Sequence, residues 1–416
     1  MNGRVLRDAP WLGGPASRVL ELLNRNGEEA RVVGGAVRNA LLNIPVGDID
    51  IATTAVPDEV VRRAKTAGIK SVPTGIAHGT VTLVVESQPF EVTTLREDVE
   101  TFGRKARVAF GRDWVRDAER RDFTINGLSV SLDGTVHDYV GGLDDIAARR
   151  VRFIGDPDQR IAEDFLRILR FFRMHAAFGA GEPDRDGYLA CIRGRGGLAG
   201  LSAERIRMET LKLLVADGAA GAAVAMEDGG LWLALLGGLT YRGPFTAMIA
   251  AERMLGWKPD PVRRLGALGV AVTEDARRLA IRLRLTNGET RALESMGDRW
   301  WRLAGMDEAA AKRQLYRLGE ARYRDRLLLA WARAGNDADP APWRELATLP
   351  ERWAAPKFPL RAADFKARGI ADGPALGEAL AAAEDAWLAA HFPLEKSAIA
   401  AIADRSAARF VGDGRP

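Results

Sequence analysis

One segment early in the chain constrains the fold more than any other, namely residues 34–53, GGAVRNALLNIPVGDIDIAT. It follows an apolar run at residues 30–33, which predicts a short strand, and its glycine pair is typical of a sharp turn into a helix. Alternation over residues 48–52 predicts a second strand. A strand, a glycine turn, a helix and another strand in so short a stretch indicate a mixed α/β domain.

The same segment carries groups suited to binding a triphosphate. Backbone N–H groups at Gly34 and Gly35 can face an anion, and the guanidinium of Arg38, one helical turn further on, can reach the same phosphates. Asp48 and Asp50 alternate along the predicted strand, so that both carboxylates lie on one face, roughly 6–7 Å apart. Mg²⁺ prefers hard oxygen ligands of this kind, so we assign both aspartates as metal ligands.

Several other classes of protein are excluded by what the sequence lacks. No G-x-G-x-x-G follows the strand and no G-x-x-x-x-G-K-[ST] occurs, which argues against a dinucleotide-binding fold and a P-loop. The single cysteine, Cys191, excludes an internal disulfide framework and a cysteine-based zinc cluster. No run approaches the ~18 apolar residues of a membrane span, and no secretory signal is evident. We therefore expect a cytoplasmic protein with no membrane association.

The pattern changes along the chain from strand-rich to helical. Residues 80–86 and 90–94 alternate like strands, whereas residues 96–114, REDVETFGRKARVAFGRDW, have little periodicity and are predicted to form a long mobile loop. After residue 141 helical periodicity dominates, and it runs through residues 159–177 and 203–215. The sequence therefore predicts an α/β head followed by an all-α remainder.

Three further blocks strengthen the interpretation of the first segment. They are FEVTTLRED at residues 90–98, ERRDFTINGL at 119–128 and DPDQRIAEDFLRILRFFRMHAAFG at 156–179, with LSAERIRMETLKLL at 201–214 as a weaker one. With these blocks the chain resembles the class II nucleotidyltransferases of the polymerase-β superfamily, that is, bacterial tRNA CCA-adding enzymes and their poly(A) polymerase relatives. The resemblance covers roughly residues 30–215. One position departs from the family, whose glycine motif usually ends in Arg-Asp, because here Arg38 is followed by Asn39.

The resemblance implies an α+β fold with an N-terminal nucleotidyltransferase head around a mixed β-sheet, followed by an elongated all-α neck, body and tail. We expect a catalytic head at residues 1–138, a neck for nucleobase selection at 139–225, a body at 226–330 and a tRNA-binding tail at 331–416.

The resemblance also implies roles for residues that the first segment does not contain. The block at residues 119–128 is expected to bind the triphosphate and ribose of the incoming nucleotide through Arg121, Asp122 and Asn126. Glu91 is expected to be a third catalytic carboxylate, on a strand beside that of the two aspartates.

Two residues of the third block can act as a protein template for the base. On a helix, Asp164 and Arg167 stand three residues apart and project from one face. Cytosine and adenine each present an exocyclic amino donor beside a ring-nitrogen acceptor, whereas uracil and guanine present the reverse. A fixed carboxylate beside a guanidinium therefore accepts C or A and rejects U and G, and the family is understood to use these positions in this way. We include Arg170 of the same block in nucleotide binding.

Together these observations predict template-independent addition of C, C and A to the 3′ end of tRNA from CTP and ATP, with Mg²⁺ at the aspartate pair. A net charge of +4 permits a polyanionic partner without demanding one, and no obligatory protein partner is evident. The motifs leave open a poly(A) polymerase, a CC-only or A-only enzyme and, in a different class, a noncatalytic RNA-binding protein. We expect the loop at residues 96–114 to move when the site switches from C to A.

Overall fold

The computed structural model describes residues 5–76, 79–102, 105–335 and 338–411. The chain divides into two compact units, one of residues 1–242 with 278–286 and one of residues 243–277 with 287–416. The division into head, neck, body and tail stays a prediction.

The strands all lie in the first unit. Within the described residues they are β1 (Ala30–Val33), β2 (Asp50–Thr53), β3 (Lys70–Gly75), β4 (Thr80–Val85), β5 (Gln88–Thr94), β6 (Arg96–Phe102), β7 (Lys105–Phe110), β8 (Ser129–Val130) and β9 (Val136–His137). Seven of them form one mixed sheet in the order β3-β4-β5-β2-β1-β8-β9. β2 and β5 pair in parallel and the other neighbours are antiparallel. The mixed sheet that the sequence predicts is thereby confirmed.

The predicted loop at residues 96–114 is wrong, because most of this stretch forms an antiparallel hairpin of β6 and β7. The register changes between Asp98 and Glu100, so the ladder is irregular there. The acidic segment REDVETF thus pairs through its backbone with the basic segment KARVAF. The segment of β6 carries little apolar alternation, and the alternating run in β7 is only six residues long, so periodicity gives a weak signal for this hairpin.

Helices make up most of the remaining chain. In the first part they are α1 (Gly14–Leu23), α2 (Gly35–Leu41), α3 (Pro57–Thr66), α4 (Trp114–Glu119), α5 (Gly142–Ala147), α6 (Pro157–Glu163), α7 (Leu166–Phe178), α8 (Arg185–Gly194), α9 (Ala203–Leu214), α10 (Ala219–Asp228) and α11 (Leu231–Leu236). They continue as α12 (Arg242–Leu255), α13 (Pro261–Gly269), α14 (Thr273–Leu283), α15 (Asn287–Gly297), α16 (Glu308–Leu318), α17 (Glu320–Arg333), α18 (Pro340–Ala347), α19 (Leu349–Arg352), α20 (Ala362–Lys366), α21 (Pro374–Ala389) and α22 (Lys396–Val411).

The start of α6 shows how the sequence sets a helix boundary. Asp156 precedes the helix in an extended conformation, and its carboxylate accepts a hydrogen bond from the backbone N–H of Gln159. Pro157 takes the first helical position, where its missing N–H leaves no helical hydrogen bond unmade. The same Asp-Pro pair starts α13 and α18. Asp156 and Pro157 therefore set where α6 begins within the third sequence block.

The prediction of a single helix over residues 159–177 is also wrong, because the helix is interrupted between α6 and α7. Asp164 is extended, with φ −157° and ψ 106°. Its carboxylate accepts from the backbone N–H of Leu166, and its carbonyl accepts from the N–H of Arg167. An aspartate that bonds the backbone ahead of it competes with helix continuation, and this is why the helix restarts.

A row of aromatic rings fixes the second block against α7. The rings of Phe123 and Phe153 have centroids 4.9 Å apart, and Phe153 stacks on Phe171 at 5.4 Å. All three are buried. Since burying a phenylalanine contributes about 2–3 kcal/mol, this row holds the chain around residue 123 against α7.

The second unit has its own core, which includes a cluster around Trp387 built from α20, α21 and α22. It also buries an ion pair in which Arg264 Nε lies 2.7 Å from Glu252 Oε2. Among the described residues of the whole chain, no helix is both long enough and apolar enough to span a membrane.

Candidate active site

A cavity of about 530 Å³ in the first unit brings the separate sequence blocks together. All of the predicted site residues except Asp48 and Glu91 line it. The lining consists of Gly34, Gly35, Arg38, Asp50, Arg121, Asp122, Asn126, Asp164, Leu166, Arg167, Arg170, Met174 and Arg205.

Gly34 allows a close approach between the turn after β1 and an arginine of the second block. Its φ is +70°, a conformation that residues with a Cβ rarely adopt. A Cβ at this position would lie 3.1 Å from Nη1 of Arg121. The N–H of Gly34 donates to the carbonyl of Leu128 at 3.2 Å, which ties the turn to the second block. The backbone conformation therefore favours glycine here, and a Cβ would require the guanidinium of Arg121 to shift by a few tenths of an ångström.

Arg38 is buried and largely satisfied by protein groups. Its Nη1 donates to Asn126 Oδ1 at 2.6 Å, and its Nη2 donates to Asn39 Oδ1 at 2.9 Å. The guanidinium lies 3.8 Å from the centroid of the Phe178 ring. Burial, reinforced by Arg173, lowers the pKa of Arg38 to about 10, so the group stays charged at neutral pH. Arg38 thus shapes the cavity wall more than it presents free donors to phosphates.

Asp122 is the acceptor at the centre of the cavity. Its Oδ2 accepts from Arg170 Nε at 2.7 Å and Nη2 at 2.5 Å, and its Oδ1 accepts from Asn126 Nδ2 at 3.0 Å. Burial acts to raise the pKa of Asp122, but Arg170 and the hydrogen bonds outweigh it and hold the pKa below its usual range. A continuous network therefore runs from Arg38 through Asn126 and Asp122 to Arg170.

The three predicted carboxylates come from β2, the segment before it and β5. The parallel register pairs Ile51 with Val92, so Asp50 at the start of β2 lies next to Glu91 in the middle of β5. Burial raises the pKa of Asp50. The negative charges of Glu91 and Asp48 raise this pKa further, and the positive charge of Arg121 lowers it. Asp48 lies outside β2, which begins at Asp50, so the prediction that both aspartates alternate on one strand is wrong.

The donor set suits a hard cation but does not enclose one. Carboxylate oxygens are the ligands that Mg²⁺ prefers, and mutual repulsion at Asp50 is what a bound cation would relieve. In the described ranges, however, no three His, Cys, Asp or Glu side chains converge as a metal-binding group. Mg²⁺ commonly takes one or two protein carboxylates and completes its shell with phosphate and water. A metal here would therefore depend on a nucleotide for its other ligands.

The predicted base-reading pair lines the cavity, although not through the predicted geometry. Asp164 lies in the break between α6 and α7, and Arg167 is the second residue of α7. The expectation that both project from one helix is therefore wrong. Both side chains nevertheless face the same cavity, because the extended residue at the break directs its carboxylate toward the start of α7.

Three lining residues were missed by the sequence prediction, namely Leu166, Met174 and Arg205. Leu166 and Met174 share one face of α7 with Arg170 at a spacing of four, a signal that the sequence contains. Arg205 lies near the start of α9, within the block at residues 201–214. The sequence identifies that block as a motif, but nothing in it singles out one arginine.

A sequence profile described as the poly A polymerase head domain matches residues 30–152. The chain is 35% identical over 385 residues to a protein of Danio rerio named CCA tRNA nucleotidyltransferase 1, mitochondrial, covering 90% of this chain and 87% of the other. It is 33% identical over 381 residues to the CCA-adding enzyme of Limosilactobacillus fermentum, with 88% and 90% covered.

The fold is also similar to a solved structure. The crystal structure of the Bacillus stearothermophilus CCA-adding enzyme in complex with CTP superposes with a TM-score of 0.74 at 27% sequence identity. The superposition covers 96% of this chain and 98% of that one. The similarity therefore extends well beyond residues 30–215, where the sequence motifs lie.

Proposed function

Because this chain belongs to the family of the CCA tRNA nucleotidyltransferases, we propose that it adds C, C and A to the 3′ end of tRNA without a nucleic-acid template, using CTP and ATP. The chain is a nucleotidyltransferase, and pyrophosphate is the leaving group. The observation that carries the proposal is that Asp50, Arg121, Asp164 and Arg167 line one cavity. We assign Asp50 and Arg121 to the triphosphate, and Asp164 and Arg167 to the base.

Phosphate binding is assigned to Arg121 and to the turn at Gly34 and Gly35. The guanidinium of Arg121 lies against the turn and acts on Asp50, so it stands where triphosphate and carboxylates meet. We assign Asp122 and Asn126 to the ribose, because they form part of the cavity wall that we expect the sugar to contact. Positioning of this kind, rather than covalent chemistry, supplies much of the rate in phosphoryl transfer.

The nucleotidyltransferase family uses divalent metal ions in general. We propose Mg²⁺ in this chain, held by Asp48 and Asp50 with Glu91 beside them. When bound, Mg²⁺ neutralises phosphate charge and lowers the pKa of the attacking 3′ hydroxyl. The three carboxylates hold the negative charge that attracts it, and Arg121 limits their mutual repulsion.

Base selection is assigned to Asp164 and Arg167. The carboxylate accepts from the exocyclic amine of C or A, and the guanidinium donates to the adjacent ring nitrogen. With uracil or guanine, the carboxylate would face a carbonyl oxygen and the guanidinium would face a ring N–H. Each hydrogen bond that is not made costs about 1–3 kcal/mol. We further propose that residues 1–138 carry catalysis, 139–225 select the base, and 226–330 and 331–416 contact tRNA through its backbone and shape.

We also propose the cytoplasm as the compartment. The single cysteine, Cys191, is buried and free, so the fold needs no oxidising environment.

The decisive experiment offers purified protein a tRNA that lacks its 3′ trinucleotide, with each nucleoside triphosphate alone and then with all four. Sequencing of the product ends should show CC with CTP alone and CCA with CTP and ATP together. A product that keeps growing with ATP alone would identify a poly(A) polymerase, and products that stop at CC or gain only A would identify the specialised enzymes.

A second experiment tests the acidic centre. Asp50→Ala should abolish incorporation and leave tRNA binding unchanged, whereas Asp58→Ala, on the exposed first turn of α3, serves as the matched control and should keep both. Activity that survives in Asp50→Ala would show that the carboxylates are wrongly assigned.

A further inference from the structure

The carboxylate of Asp164 is held by an arginine from another helix. Arg205 on α9 donates from Nη1 to Oδ1 at 3.2 Å and from Nη2 to Oδ2 at 2.7 Å. The backbone N–H of Leu166 adds a third bond to Oδ1 at 3.1 Å. An ionised carboxylate offers about four acceptor positions. Three of these are therefore occupied, and one stays available to a ligand in the cavity.

The guanidinium of Arg167 is held from the opposite side. Its Nη1 donates to the carboxylate of Glu163 and to the carbonyl of Arg160, the latter at 2.7 Å. In the part of the chain that the structure describes, no ion pair joins Asp164 to Arg167 directly. Charges alternate along the row from Arg205 through Asp164 and Arg167 to Glu163, so each member of the base-reading pair has its own partner.

Separate partners matter because opposite charges three residues apart attract each other. If Asp164 and Arg167 paired, each would use the bond that the base requires, and the cavity would present neither a free acceptor nor a free donor. A bidentate guanidinium fixes a planar carboxylate in direction as well as in position. Arg205 thus determines which oxygen position of Asp164 remains open.

We propose that Arg205 is a specificity-determining positioning residue, which holds Asp164 apart from Arg167 so that both groups face the base. This inference rests on the proposed role of Asp164 and Arg167 in base selection. Arg205 itself need not touch the nucleotide, because its effect passes through the carboxylate.

The test measures kcat/KM for CTP, ATP, UTP and GTP in Arg205→Met and Arg205→Lys. Arg205→Met should lower kcat/KM for CTP and ATP together by about tenfold to a hundredfold, the range expected for losing a charged hydrogen-bond partner, with a much smaller change for UTP and GTP. Selectivity should therefore shrink. Arg205→Lys keeps the charge without the bidentate fork, so it should fall between Arg205→Met and the wild type.

The matched control is Arg193→Met, which removes another bidentate pair of the first unit. Arg193 contacts Asp158 at 2.9 and 2.6 Å, both side chains are about half exposed, and neither lines the cavity. It should leave selectivity and all four kcat/KM values unchanged. If Arg205→Met does not fold, the Arg205→Lys profile carries the test.

Asp164→Asn separates this inference from the proposed function. If Arg205 acts through Asp164, adding Arg205→Met to Asp164→Asn should change selectivity no further. An equal fall for all four nucleotides in Arg205→Met, while Asp164→Asn still loses selectivity, would overturn the inference and leave the proposed function standing. Unchanged selectivity in Asp164→Asn would overturn both.

Discussion

Replacing Asp122 by asparagine tests the network at the centre of the cavity. Asparagine keeps the shape of the side chain but removes the charge that Arg170 contacts from Nε and Nη2. The nearest remaining carboxylate to that guanidinium is Glu209, 3.8 Å away. The change therefore leaves a largely enclosed cation without its main partner.

The size of the effect follows from burial. A hydrogen bond to a charged group contributes about 1.5–3 kcal/mol, and breaking a fully buried pair costs about 3–5 kcal/mol. The Asp122 side chain is 10% exposed but that of Arg170 is 33% exposed, so water compensates part of the loss. We expect Asp122→Asn to lower the free energy of unfolding by about 2 kcal/mol at pH 7.

The pH dependence of this loss has a definite sign. The folded state holds the pKa of Asp122 below its usual value, so the stabilisation is present above the unfolded-state pKa of about 3.9 and disappears as the pH falls through the folded-state pKa. Wild type and Asp122→Asn should therefore differ by a constant amount near neutral pH and converge below about pH 4.

Urea unfolding followed by circular dichroism and tryptophan fluorescence measures the difference, and calorimetry at decreasing pH follows its convergence. Asp158→Asn, which breaks an exposed ion pair with Arg193, is the matched control and should leave the unfolding midpoint unchanged. Equal midpoints for wild type and Asp122→Asn at pH 7, or a difference that grows on acidification, would refute the reasoning.

Three further predictions concern the cavity and the hairpin. Glu91→Gln removes one of the charges that raise the pKa of Asp50, so the acidic limb of the pH–rate profile should move to lower pH, and an unmoved limb would contradict the coupling. Gly34→Ala should lower the free energy of unfolding by about 1 kcal/mol because it strains a positive φ, and should raise KM for CTP and ATP alike because it displaces Arg121. Thermal melts and steady-state kinetics check these two effects. Gly68→Ala, at a similar φ but in open surroundings, is the control. Shortening the hairpin of β6 and β7 should leave CC addition intact and abolish the terminal A, and equal loss of both on a sequencing gel would count against that role.

The sequence blocks contribute residues to one cavity, but the local structure around those residues differs from the prediction. Side-chain chemistry predicts a metal role for Asp50 and a base-reading role for Arg167, whereas the role of Arg121 follows only from the family resemblance. The sequence does not predict the interruption of the helix at Asp164, because helical periodicity continues across it. The interruption is caused by one side chain, that of Asp164, which accepts a hydrogen bond from the backbone N–H of Leu166. Periodicity averages over a window and does not detect such an event.

The hairpin and Arg205 escaped for different reasons. The β6–β7 hairpin depends on backbone pairing between two segments rich in charged residues, a composition that is not typical of strands. The role of Arg205 depends on tertiary packing, which places α9 beside the residues between α6 and α7 so that Arg205 contacts Asp164. Nothing in its own segment distinguishes it from Arg207 two residues later.

The parallel pairing of β2 with β5 has a consequence for how the acidic centre forms during folding. Asp50 begins β2 and Glu91 lies in the middle of β5, and the chain between these two strands forms α3, β3 and β4. Contacts of such long sequence separation form late, because loop closure precedes any gain from pairing. The two like charges are therefore brought side by side only when β5 pairs with β2, and the repulsion between them opposes that step.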